Sequence, residues 1–271
     1  MLSNDTIRTL APSVFAGERG PKMTPRYGFI STAQVLSALC DEGFQPVRAK
    51  QAGSREVARS GYVRHVITFR LPDAPLTVGE YIPEIVVMNA HDGSAAYRLM
   101  VGVFRIICAN GLIVADSTLA SIRVAHVGAR TITEVVAATH QLVGSLPSVL
   151  AQIETWRGVM LSRADQLDYA RGALAQRYPK QIAPIGPEQL LDIRRNEDDG
   201  ASLWTVFNRV QENLIRGGLP GQARRTVDGE TVLGRRTTTR PLAGVRTSVG
   251  LNRGLWELTA QAAAGNIIDQ D

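Results

Sequence analysis

Cysteine is nearly missing. Only Cys40 and Cys108 occur among the 271 residues, so neither a disulfide framework nor a Cys-rich zinc centre is available. Both lie in apolar, helix-like surroundings and read as buried free thiols, which fits a reducing cytoplasm. Lysine is almost as scarce. Of 30 basic residues only Lys22, Lys50 and Lys180 are lysine, leaving 27 arginines (30 − 3). Aromatic residues make up 6% of the chain, which leaves few platforms for stacking unpaired bases. No apolar run approaches the roughly 18 residues that would span a bilayer. Met1-Leu2-Ser3-Asn4-Asp5-Thr6 lacks the basic and apolar regions of a signal peptide. There is no GxxxxGK[ST] loop, no GxGxxG after a strand and no HExxH. The four histidines, His65, His91, His126 and His140, are scattered. No cofactor, metal or catalytic site is expected on these grounds.

What is present is enough for a folded chain. Hydrophobic residues are 44% and charged residues 20% of the total, so a core can form. Residues 1–28 hold Pro12, Pro21 and Pro25 and read as an irregular arm. A helix is expected over Ser31–Leu39, with Ser31 as cap and Gly43 as stop. Phe44–Gln51 reads as a strand. The clearest strand is Tyr62–Leu71, with Val63, His65, Ile67 and Phe69 on one face and Arg64 and Arg70 on the other. A turn follows at Leu71–Pro75, then a third strand over Glu80–Asn89. The spacing of Leu99, Met100, Val103, Phe104 and Ile107 predicts a helix over Ala95–Ala109, capped by Ser94 and stopped at Asn110-Gly111. A short strand over Ala120–Val127 and helices over Thr131–Leu161, Ser162–Tyr178, Ser202–Ile215 and Leu251–Ala264 complete the reading.

Short turns between strands favour antiparallel pairing. The expected fold is α+β: an antiparallel three- to four-stranded sheet packed by a helix, a β-β-β-α core, followed by a mainly helical half. The sheet-plus-helix core is placed over 1–128 and the helical region over 129–271, packed as one compact unit.

Charge is concentrated near the C-terminus. Between Arg216 and Arg253 lie eight arginines (216, 224, 225, 235, 236, 240, 246 and 253) against Asp228 and Glu230, a local charge of +6 (8 − 2). The stretch is rich in Gly and Thr and reads as a poorly ordered basic arm. Arginines in such a loop can serve solubility alone or pair with a neighbouring subunit. Their density favours a polyanion, since guanidinium is the better fork for phosphate. Expected nucleic-acid contacts are Arg64, Arg70, Arg98, Arg216, Arg224, Arg225, Arg235, Arg236, Arg240 and Arg246.

A second feature is Asn89-Ala90-His91-Asp92-Gly93-Ser94-Ala95-Ala96-Tyr97-Arg98. Read as a strand end, a glycine turn and a helix start, it could hold an anion at the helix N-terminus, with Arg98 adding a fork. His91 and Asp92 are the residue types of acid–base catalysis. An ordinary Asp-Gly turn with a serine cap explains the same residues and ranks above catalysis.

This motif, continued through Leu99–Leu112, resembles the hallmark of the DUF932 family, a phage- and plasmid-associated family of unknown function. Val249-Gly250-Leu251-Asn252-Arg253-Gly254-Leu255-Trp256 is similar to that family's C-terminal signature. The resemblance implies an accessory protein of a mobile element and carries over no catalytic residue. A helix, three antiparallel strands and a second helix also resemble, at fold level only, the core of Rad52-like single-strand annealing proteins, which implies a ring or filament on single-stranded DNA. The expected function is therefore a non-enzymatic, homo-oligomeric nucleic-acid-binding protein, with single-stranded DNA as partner and no membrane. An inhibitory or regulatory protein directed at a host defence system is the alternative. A metal-dependent nuclease using His91, Asp92 and Glu80 or Glu84 ranks last.

Overall fold

The computed structural model describes residues 1–70, 81–105, 111–113, 121–124, 132–179, 182–227 and 230–265. The chain divides into two compact units, Met1–Val149 and Leu150–Asp271.

The first unit opens with a short helix, α1 (Asn4–Leu10), where the Ser3 hydroxyl accepts from the Thr6 N–H at 3.2 Å and Ile7 is buried. The expected irregular arm is therefore partly helical. The next helix, α2 (Thr32–Asp41), starts at Ser31, whose hydroxyl accepts from Gln34 N–H, and buries Thr32, Val35, Leu36 and Leu39 along one stripe. Cys40 lies one position beyond that stripe and is exposed, not buried as expected.

An antiparallel sheet follows: β1 (Gln45–Gln51), β2 (His65–Arg70), β3 (Tyr81–Asn89), β4 (Tyr97–Arg105), β5 (Gly111–Ile113) and β6 (Ser121–Val124). The first five are neighbours in that order, and β6 also pairs with β4. The register sets Ile67 opposite Val87, and Val87 opposite Leu99. Ile67, Phe69, Ile85, Val87, Leu99 and Val101 are all 2% exposed or less and share one face. The opposite face buries Thr68, Val86, Met88 and Met100. In β3, Pro83 stands opposite Val103 of β4.

The helix expected over Ala95–Ala109 is the strand β4 as far as Arg105, with 106–109 outside the described residues. The physical reason is burial on both faces. Leu99 and Val101 enter one layer and Met100 the other, so the segment is apolar at nearly every position and its spacing imitates a helical period. Ser94 caps nothing. Its N–H donates to Asp92 Oδ1 at 3.0 Å in an Asx turn, and the anion site imagined at a helix start has no helix behind it. The fold class itself is as expected, mixed α+β with an antiparallel sheet first and helices after. The Leu71–Pro75 turn and Cys108 lie outside the described residues.

The helix α3 (Ile132–Gly158) runs across the division between the units and contains Pro147. In the second unit, α4 (Arg163–Arg177) begins with a capping box in which Ser162 Oγ accepts from Asp165 N–H while Asp165 accepts from Ser162 N–H at 3.0 Å. The helices α5 (Leu203–Arg216) and α6 (Val245–Ala263) complete the packing. Trp156, Trp204 and Trp256 meet with Phe207; the Trp156 and Trp256 rings are 4.3 Å apart and Trp204 stacks on Phe207 at 5.0 Å. The mixed-charge run at 194–200 is exposed at five of its seven positions but is anchored by the other two. Asp198 is buried, and Arg195 clamps the buried Glu212 through two hydrogen bonds of 3.0 and 2.8 Å, as a buried carboxylate requires. Among the described residues no helix is long and apolar enough to cross a membrane.

Candidate nucleic-acid interface

Between α5 and α6 the chain forms a two-stranded antiparallel ribbon, β7 (Pro220–Val227) and β8 (Glu230–Thr238). The expectation of a low-order arm is corrected by this ribbon. The sequence held the signal: Asp228-Gly229 stands between Thr226-Val227 and Thr231-Val232, the composition of a two-residue hairpin turn.

The base of the ribbon is firmly tied. Gly217 follows α5 with φ of 61°, and a Cβ there would meet Thr239 O and Arg240 C at 2.7 Å. Gly218 N–H donates to Thr239 O at 2.8 Å and Thr239 N–H to Leu219 O at 2.9 Å. On the other edge Gln222 N–H donates to Pro184 O at 2.8 Å. A Cβ at Gly221 would overlap that carbonyl, so glycine lets the strand lie directly on the 182–185 segment.

Beyond the base the strand β8 is in solvent. Every residue from Glu230 to Arg236 is exposed, including Val232 at 37% and Leu233 at 57%. Arg224 faces solvent opposite Leu233, and Arg236 is paired with Gln222. Arg225 occupies the rung opposite Val232. A bulge between Gln222 and Arg224 places Arg235 in the irregular step. Arg240 lies just past β8, and Arg246 is exposed on the first turn of α6. Arg216 differs: it pairs with Glu212 at 3.0 Å. Arg253 likewise pairs with Glu257 at 3.4 Å.

The sheet arginines have structural employment. Arg70 Nε donates to Glu84 Oε1 at 2.8 Å and Arg48 to Glu84 Oε2, across three strands. Burial pushes the Glu84 carboxyl up, with both guanidiniums pulling against it. Arg64 donates to the Ser94 carbonyl. Arg98 stands opposite Met88 and Arg123 in the register, half-buried. Reading Arg64 and Arg70 as one wet basic face missed Arg48 and Glu84, because strand register alone brings them together.

His91 and Asp92 also have structural surroundings. The imidazoles of His65 and His91 are fully buried, 5.1 Å apart between centroids, and both reach the Thr32 hydroxyl, at 2.9 and 3.4 Å. Asn89 Nδ2 donates to the same oxygen at 2.9 Å. Tyr27 donates to Ala90 O at 2.7 Å, and Gly20 N–H to His91 O at 2.7 Å. This network fastens the segment before α2 to the end of the sheet. Burial holds the His65 imidazole down to about 4, so it is neutral at ordinary pH. Burial raises the Asp92 carboxyl, but the Ser94 and Arg59 hydrogen bonds outweigh it and leave it low; Arg59 lies at 2.9 Å. Beside them is a small cleft of about 210 Å³ lined by Lys22, Met23, Arg59, Tyr62 and Asp92. Among the described residues no group of three His, Cys, Asp or Glu side chains is gathered as metal ligands would be.

The profile of the domain of unknown function DUF932 matches residues 22–256, from just before α2 to the middle of α6. The chain belongs to the DUF932 family. It is 33% identical over 255 residues to the UPF0380 protein YfjQ of Escherichia coli strain K12, covering 94% of this chain and 89% of the relative. Identity to the UPF0380 protein YafZ of the same strain is 32% over the same coverage. No solved structure matches. The DUF932 signatures fall on interior residues: Asn89 and His91 in the polar network, and Val249, Leu251, Asn252, Leu255 and Trp256 on the buried side of α6. Asn252 accepts from Gln211 at 2.9 Å.

Proposed function

We propose that this DUF932 protein is a nucleic-acid-binding protein of mobile genetic elements that acts by binding and not by catalysis. The observation that carries the reading is the exposed arginine ribbon β7–β8, with Arg240 and Arg246 nearby in sequence and exposed. Holding three exposed arginines on a ribbon that buries almost no side chain of β8 gains little stability, which favours a ligand as their purpose. The neutral, buried state of His65 and the ion-paired state of Asp92 support a structural role for that network over an acid–base one.

The finer expectation, annealing of single strands by a ring or filament, calls for surfaces on which bases stack. The three tryptophans are at most 3% exposed, and residues 216–253 contain no aromatic. The reading therefore rests here at the level of nucleic acid. Filter binding across a salt series tests it, offering single-stranded and duplex DNA of one length. Affinity falls steeply with salt, and changing Arg224, Arg225, Arg235 and Arg236 to glutamine flattens the slope by about 3 for single strands, at about 0.7 per phosphate contact. An unchanged slope in a variant of unchanged size by light scattering removes the ribbon from the binding surface and turns attention to a protein partner.

A further inference from the structure

We infer that the β7–β8 ribbon docks in the major groove of duplex DNA, with Arg224, Arg235 and Arg236 on the groove-wall phosphates and Leu233, on the rung of Arg224, toward the base edges. This rests on the nucleic-acid reading above and adds the form of nucleic acid and the mode of contact.

The shape is the first argument. Strands of eight and nine residues make a ribbon roughly 26–30 Å long at about 3.3 Å per residue. The major groove of B-form DNA, about 12 Å wide, admits a two-stranded ribbon. The ribbon stands on a tied base, and Arg224 and Glu230–Arg236 are exposed beyond it, so this exposed part can enter a groove without unfolding. The bulge between Gln222 and Arg224 adds local twist, which helps a ribbon follow a helical groove.

Chemistry narrows the partner. The ribbon carries four arginines and no aromatic side chain, so it offers phosphate contacts without stacking platforms, which disfavours a single strand. The major groove of A-form RNA is too deep and narrow to be read by side chains. Leu233, 57% exposed, is costly in water and suits the thymine methyl groups that line the DNA major groove. Pairing of the β8 edge with that of a second copy would bring Arg235 and Arg236 toward their counterparts, an arrangement of like charges that destabilises strand pairs.

The full-length protein is titrated by fluorescence anisotropy against a 30-base-pair DNA duplex, one of its single strands and the matching RNA duplex. Dimethyl sulfate then probes guanine N7, which faces the major groove, in the bound DNA duplex. The inference expects the DNA duplex to bind at least about tenfold more tightly than either competitor and guanine N7 to be protected. The triple variant Arg224→Gln/Arg235→Gln/Arg236→Gln, checked for an unchanged melting temperature, flattens the duplex salt slope by about 2.7, or 0.9 per phosphate. Because the N7 probe uses the unmodified protein, it decides the matter even if the variant folds poorly. Equal or tighter binding of the single strand, or N7 left fully reactive in bound duplex, overturns the groove assignment while nucleic-acid binding stands. Failure to bind any of the three at low salt overturns both.

Discussion

A buried histidine ties this protein's stability to pH. His65 is fully buried and its Nε2 meets the Thr32 hydroxyl at 2.9 Å, while its Nδ1 lies 2.9 Å from the Val63 carbonyl. Its folded pKa, about 4, lies below that of an ordinary histidine near 6.5. As pH falls, the unfolded chain takes up the proton first. The stability present above pH 6.5 is therefore lost down to pH 4, by about 3 kcal/mol at that point. Urea unfolding of the wild type and of His65→Gln at pH 7 and pH 4 checks this: the variant, though less stable at pH 7, shows an acid loss smaller by about that amount. A second residue-scale outcome concerns Arg70. Reading it as a wet groove residue predicts that Arg70→Ala costs little stability. Its bond to the buried Glu84 instead predicts a loss of about 1.5–3 kcal/mol, measurable by the same titration. Phe69→Ala, fully buried in the sheet, costs about 3–5 kcal/mol.

At the scale of elements, caps and turns set where helices begin and strands return. Ser162 and Asp165 satisfy each other's backbone at the start of α4, so Ser162→Ala lowers stability by about 1 kcal/mol in chemical denaturation. Gly217 turns the chain from α5 toward β7 with a positive φ and no room for a Cβ. Gly217→Ala is expected to cost more than the roughly 1 kcal/mol of an incompatible glycine replacement alone, because backbone atoms of Thr239 and Arg240 must also move. If ribbon geometry governs binding, it weakens duplex affinity with every arginine in place. Anisotropy on the folded variant reads that loss, and unchanged affinity would show that charge alone suffices.

At the scale of the whole molecule, the chain holds its ionisable groups in two different regimes. Arg48, Arg70 and Arg195 neutralise buried carboxylates, whereas Arg224, Arg235, Arg236, Arg240 and Arg246 stand in solvent. Net charge of +5 is thus a poor guide to where solvent-facing positive charge lies; three exposed arginines sit on the ribbon and two more on the chain just after it. Changing the ribbon arginines to glutamine is expected to leave the melting temperature within about a degree or two, since exposed substitutions away from packing stay near ±0.5 kcal/mol. A scan of the same variant used for binding checks this.

Local signals were legible wherever one residue type decides the backbone. Ser31, Ser162 and Ser202 each cap the helix that follows, and strict alternation in Tyr62–Leu71 marks both the strand β2 and its buried face. The family signatures were legible for the same reason, being contiguous. The strand β4 was not, because a segment buried on both faces loses the alternation that distinguishes strand from helix. The basic arm was visible as charge, yet its form was not: a ribbon depends on the cross-strand partners of Arg224 and Arg236 and on the tied base at Gly217 and Pro184. Likewise only tertiary structure decided that Arg70 belongs to Glu84 and that His65 and His91 share Thr32. Sequence orders residues along the chain, and those pairings span 14 to 59 positions, a separation bridged only when sheet register and helix packing bring the atoms within hydrogen-bond reach.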